Sequence, residues 1–121
     1  MTRLLLVEDN PMNRDMLSRR LQRAGFEVSS AVNGEEALTA MSDSQPDLVL
    51  MDMNLPVMDG WTACRLARGT PEISGIPIIA LTAHAMQNDR RAALDAGCTD
   101  YATKPIDFPD LLEKIRTHTQ S

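Results

Sequence analysis

Asp47-Leu48-Val49-Leu50-Met51-Asp52 is the stretch that decides the fold. Asp47 to Met51 reads as a strand that is apolar on both faces. Such a strand belongs in the middle of a parallel sheet, where helices cover each side. The run then ends on a carboxylate, Asp52. Working outward, the same arrangement recurs. Arg3 to Val7 is a short buried-strand run that stops at Glu8 and Asp9. Ile78 to Leu81 ends in Thr82, and Asp100 to Thr103 ends in Lys104 and Pro105. Glu27 to Val32 supplies the remaining strand.

Helical signals fill the gaps. Asn10 offers an N-cap, Pro11 suits the first turn, and Gly25 closes a helix whose Leu17, Leu21 and Ala24 recur at helical spacing. Asn33 with Glu36 resembles a capping box, opening a helix through about Met41, with Ser42 to Pro46 as a polar loop. Leu55 to Gly60 is rich in turn residues, and a short helix runs from about Trp61 to Ala67. A helix from about Gln87 to Ala96 closes at Gly97. Asp107 caps the last helix, whose Phe108, Leu111, Leu112 and Ile115 form one face. Five β-α units follow, with connections too short for a second domain. Residues 1–121 therefore form one α/β domain, a parallel sheet with right-handed crossovers and helices on both faces.

In an open parallel sheet the carboxyl ends of the strands share one edge, where ligands bind. Glu8, Asp9, Asp52, Thr82 and Lys104 all fall at that edge. Three acids, one hydroxyl and one cation suit a divalent metal and a phosphoryl group. A topological switch beside the first strand brings Glu8 and Asp9 against Asp52. Three crowded acids without a metal raise the pKa of at least one of them.

Composition narrows the function. With 43% apolar and 24% charged residues in 121, the chain can bury a core and is not disordered. A formal charge of -5 argues against direct nucleic-acid binding. No apolar stretch approaches a membrane span, and Leu4 to Val7 is too short for a signal peptide core, which points to the cytoplasm. Cys64 and Cys98 read as packing residues; two isolated thiols make a poor zinc site, and a disulfide between them is the alternative, disfavoured in a reducing compartment. The eight methionines read as core filler, with Met12 and Met16 the candidates for exposure. Arg14, Arg19, Arg20 and Arg23 read as a solvated helix face; a docking surface for an acidic partner is the alternative.

Taken in order, Val7-Glu8-Asp9, Leu50-Met51-Asp52-Met53-Asn54-Leu55-Pro56, Asp59-Gly60, Ala80-Leu81-Thr82-Ala83 and Tyr101-Ala102-Thr103-Lys104-Pro105 resemble the receiver domain of two-component response regulators. The resemblance covers essentially the whole chain. It implies a flavodoxin-like sheet of strand order 2-1-3-4-5. It implies that Asp52 accepts a phosphoryl group from a histidine kinase or phosphotransfer protein, and that a downstream protein effector reads the result. Mg²⁺, or Mn²⁺, would be held by Asp9, Asp52 and the Asn54 carbonyl, with Glu8 acting through water. Thr82 and Lys104 would contact phosphoryl oxygens, Tyr101 would change rotamer between states, and Lys104-Pro105 would be a constrained, cis turn. Asn54 and His84 would lie beside the path of the hydrolytic water. The residues match receivers of hybrid kinases and single-domain relay proteins better than those of transcription factors.

Three other functions compete. An aspartyl-nucleophile phosphatase would need a second acid at the position of Asn54. A flavodoxin-like cofactor binder would need a phosphate cradle where Glu8-Asp9-Asn10-Pro11 is acidic. A degenerate receiver serving only as scaffold would not need the full residue set. The expected product is a switch with slow autodephosphorylation, not an enzyme that turns over phosphate esters.

Overall fold

A computed structural model describes residues 2–53, 55, 57–82, 91, 92 and 94–119. The strands are β1 (Arg3–Val7), β2 (Glu27–Ala31), β3 (Leu48–Asp52), β4 (Ile78–Thr82) and β5 (Asp100–Thr103). The helices are α1 (Pro11–Arg23), α2 (Gly34–Ser44), α3 (Gly60–Arg68) and α4 (Phe108–Thr119). The helix expected from Gln87 to Ala96 falls largely outside the described residues. Its end is visible: the Ala96 N–H donates to Ala92 O at 3.0 Å, and Gly97 takes φ 101.

All five strands are parallel in the order β2-β1-β3-β4-β5, as the family resemblance implies. β3 is central and buried along its length. Alternation along the strands divides the apolar side chains into two cores. Leu5, Val7, Val49, Met51, Ile78 and Ala80 meet Ala37 and Met41 of α2 and Ala63, Cys64 and Ala67 of α3. Leu4, Leu6, Leu48, Leu50, Ile79 and Leu81 meet Leu17 and Leu21 of α1 and Leu111 and Ile115 of α4. Among the described elements, α2 and α3 cover one face and α1 and α4 the other, so the sheet is buried on both sides. With so few aromatics, aliphatic residues and Met41, Met51 and Met53 do the filling.

Helix ends follow their caps. Asn10 Oδ1 accepts from the N–H groups of Met12 and Asn13, at 3.0 and 3.1 Å. Asn33 Oδ1 accepts from Glu36 at 2.8 Å, while Glu36 Oε1 reaches back to the Val32 N–H at 3.4 Å. α2 runs to Ser44, three residues past the expected end at Met41. The polar run does not break it. Ser44 Oγ donates back to Ala40 O at 2.8 Å, and Gln45 stops the helix in the left-handed region at φ 47. β3 and β4 each extend one residue beyond the expected apolar run, ending on Asp52 and Thr82 themselves. Those polar residues belong to the ladder, and this fixes their position tightly.

Candidate functional site

Register places the site. Val7 pairs with Met51, so the residue after each, Glu8 and Asp52, stand side by side just past the paired residues. Asp52 pairs with Leu81 and Thr82 with Thr103, so Thr82 and Lys104 close the other side. The Lys104 N–H donates to Thr82 O at 2.8 Å, continuing the ladder into the turn. The Lys104-Pro105 peptide is cis, as the resemblance implies.

The side chains converge. Lys104 Nζ donates to Asp52 Oδ2 at 3.0 Å and stands 3.7 Å from Glu8 Oε2. Carboxylate oxygens of Glu8, Asp9 and Asp52 lie within 4.8 Å of one another. Glu8 and Asp52 are only 5% and 4% exposed, while Asp9 is exposed. Among the described residues Lys104 pairs with the two buried acids, Glu8 and Asp52, while Asp9 stands beside them at the solvent. The result is a carboxyl that holds its proton: Glu8 is pushed up to about 7. Burial is the largest cause, followed by a side-chain hydrogen bond with Asp52 and repulsion from its charge; Lys104 and the Asn10 N–H oppose the shift. The raised acid expected from crowding is thus Glu8, with desolvation ahead of repulsion.

The donor set fits a hard divalent cation. It consists of carboxylate oxygens, one of them facing solvent, and it carries more negative charge than Lys104 neutralises. Asn54 lies outside the described residues, as does His84. Thr82 is buried at the same edge. Tyr101 is half-buried against the α2-α3 core. Its carbonyl accepts from Lys114 Nζ at 2.7 Å, and the same ammonium sits 5.1 Å from its ring centroid.

Comparison with known proteins agrees with this geometry. Residues 4–116 match the response regulator receiver domain model. The chain belongs to the receiver domain family. The DNA-binding dual master transcriptional regulator RpaA of Synechocystis is 36% identical over 116 residues, covering 96% of this chain. This chain spans 48% of that relative's length. The receiver domain of sensor histidine kinase PA1611 from Pseudomonas aeruginosa, with a magnesium ion coordinated in its active-site cleft, superposes with a TM-score of 0.91 at 38% identity, covering 99% of this chain and 98% of the other. The receiver domain of the Saccharomyces cerevisiae response regulator Ssk1, crystallised with the phosphotransfer protein Ypd1, does so with a TM-score of 0.91 at 34% identity, covering 98% and 88%. The chain is a receiver of two-component signalling, and its relatives are regulatory proteins. Among the described residues no helix is long and apolar enough to cross a membrane.

Several residues around the receiver site make contacts that the sequence does not announce. Arg14 was grouped with a solvated arginine face, yet its Nη1 donates to Glu8 O at 3.0 Å and Asp9 O at 3.5 Å. It buckles the β1-α1 turn into place from one helical turn away. Arg20 stacks over the Phe108 ring at 4.2 Å, joining α1 to α4. Gly60 begins α3 against β3, where an added Cβ would stand 2.7 Å from Asp52 O. Met12, 81% exposed, and Met16 are on the surface as expected.

Proposed function

We propose that Asp52 is the phosphoacceptor of this receiver. The observation that carries this reading is a buried Asp52 at the end of the central strand, with Lys104 Nζ at 3.0 Å and the Glu8 and Asp9 carboxylates gathered beside it. An Asp52 oxygen attacks the phosphorus of a phosphohistidine. The new O–P bond forms as the N–P bond breaks, and the leaving imidazole takes up a proton. Positioning and charge neutralisation supply most of the catalysis in such transfers.

Lys104 orients the Asp52 carboxylate before reaction and is placed to follow the phosphoryl oxygens afterwards. Its flexible stem allows that movement. Thr82 offers a hydroxyl at the same edge. Glu8, Asp9, Asp52 and the Asn54 carbonyl would hold Mg²⁺, or Mn²⁺. When bound, the metal offsets the like-charge repulsion between carboxylate and phosphoryl group. The donor is a histidine kinase or a phosphotransfer protein, a reading supported by the Ypd1 complex of the similar Ssk1 receiver. Phosphorylation adds roughly -1.5 to -2 charge. Thr82 then shifts toward the phosphoryl group, Tyr101 turns inward, and the face formed by the helix expected at 87–96, β5 and α4 is remodelled for a downstream protein. The setting is cytoplasmic, with self-phosphorylation from small donors and slow hydrolysis.

The test is incubation of the chain with a small phosphodonor and Mg²⁺, followed by intact mass. One phosphoryl group should be gained, and none by Asp52→Ala. Equal labelling of Asp52→Ala would discard the assignment.

A further inference from the structure

Two thiols lie outside the receiver site. Cys64 in α3 and Cys98 in the turn before β5 are 34 residues apart in sequence, yet their Sγ atoms are 3.0 Å apart. Cys64 is 0% and Cys98 5% exposed. Both fill the core, as their isolation in the sequence suggests. Their contact goes further than packing requires.

Arg68, one turn beyond Cys64 on the same helix, holds them together. Its Nε donates to Gly97 O at 2.7 Å, and Nη2 to Thr99 Oγ1 at 3.3 Å. Its Nη1 donates to Ser74 O at 2.9 Å and to Ile76 O at 2.8 Å. One guanidinium thus binds the residues on both sides of Cys98 to the helix that carries Cys64. Gly97 makes room for it: at φ 101, an added Cβ would stand 2.5 Å from Arg68 Cγ.

From this contact and its clamp we propose that Cys64 and Cys98 form a reversible dithiol–disulfide couple, oxidised by a peroxide. In the first step a Cys98 thiolate attacks one peroxide oxygen. The S–O bond forms, the O–O bond breaks, and the departing hydroxide takes a proton to become water. In the second step the Cys64 sulfur gives up its proton and attacks the Cys98 sulfur. The S–S bond forms, the S–O bond breaks, and a second water leaves. The two sulfurs lose two electrons and the peroxide oxygens gain them. Cys98 is the first nucleophile because it is the less buried of the two, 5% exposed against 0% for Cys64. Its thiol is also lowered by its hydrogen bond with Cys64 and by the nearby Arg68 charge, against burial, while Cys64 is raised by that hydrogen bond and by burial. A disulfide needs a sulfur separation of about 2.05 Å, about 1 Å less than the present contact. The bond would tie α3, which follows Asp52, to the segment leading into Tyr101.

The full chain, reduced and desalted, is treated with hydrogen peroxide under native conditions. It is then denatured with N-ethylmaleimide and weighed. The expected result is a chain two hydrogens lighter that takes up no maleimide, with one tryptic cross-link joining Cys64 and Cys98. Dithiothreitol should restore two reactive thiols. Bond formation should be on the order of tenfold or more faster than in urea, where the clamp is gone. Cys64→Ala should stop at a sulfenic acid on Cys98, trapped by dimedone. Thiols that stay free, oxygen adducts without a cross-link, disulfides only between chains, or equal rates in urea would each overturn the proposal. None of these readouts depends on phosphorylation of Asp52.

Discussion

Lys104 Nζ lies 3.0 Å from Asp52 Oδ2, across 52 residues of chain, and 3.7 Å from Glu8 Oε2. One ammonium therefore contacts both of the two buried acids, which also interact with each other. The pair of contacts links the last strand to the first and third at the edge where the site is built.

Loss of that ammonium should be felt before any phosphorylation. In metal-free buffer at neutral pH, Lys104→Met should lower unfolding stability by about 1–3 kcal/mol, between the costs of breaking exposed and buried pairs. Urea unfolding measures this directly. Saturating Mg²⁺ should recover much of the deficit, and a deficit untouched by Mg²⁺ would mean the lysine supports packing rather than charge.

Glu8 sets a pH dependence of the metal-free chain. Its folded value of about 7 lies above the ordinary 4.5, so the folded state binds the extra proton. The stability linked to that proton is fully present below about pH 4.5 and is lost as pH rises through about 7. The loss is at most about 3 kcal/mol. Urea midpoints in chelator at pH 5 and pH 8 should differ in that direction, on top of the chain's other titrations. Glu8→Gln should flatten the difference.

Asp9 is the exposed member of the acid cluster, so it should matter for metal and little for folding. Asp9→Ala should weaken Mg²⁺ binding on the order of tenfold or more while leaving the urea midpoint nearly unchanged, since few protein ligands share the ion. Trp61, half-buried on α3 beside the core, is the fluorescence reporter. An unaltered titration would take Asp9 out of the metal shell.

Gly60 should tolerate no side chain. In Gly60→Ala the new Cβ would meet Asp52 O at 2.7 Å and Met53 Cα at 2.9 Å. Those are backbone atoms and cannot swing aside. Stability should fall by about 1–3 kcal/mol, as in other overpacked cores, and Mg²⁺ affinity should fall with it because Asp52 is pushed. Wild-type values for both would mean α3 shifts freely on β3.

Thr82→Ala should separate chemistry from signalling. The variant should still gain one phosphoryl group, but amide shifts at Tyr101 and along α4 on adding beryllofluoride with Mg²⁺ should shrink. A charge-assisted hydrogen bond of about 1.5–3 kcal/mol formed in one state only shifts the populations roughly tenfold to a hundredfold. A full remote response in Thr82→Ala would assign the coupling to another residue.

Much of this receiver is written locally. The doubly apolar run before Asp52 fixes a central strand, because each strand face needs its own cover. Asn10, Asn33 and Gly25 announce helix ends through hydrogen bonds made within a few residues; the Asp59 cap of α3 is seen only in the structure. The polar residues that end β1, β3, β4 and β5 could be expected to meet for the same reason: parallel strands put those ends on one edge.

Tertiary structure decided what depends on neighbours distant in sequence. The sequence could place Glu8, Asp9 and Asp52 together, but only the fold showed that burial makes Glu8 the proton holder. Arg14, Gly60 and Arg68 act through backbone carbonyls, which every residue has, so no sequence pattern marks their partners. Cys64 and Cys98 are alike two isolated thiols in the chain, and become a pair only where α3 crosses the turn into β5. Periodicity and capping are short-range and survive in a linear reading; desolvation, close approach and clamping arise only when the strands are stacked.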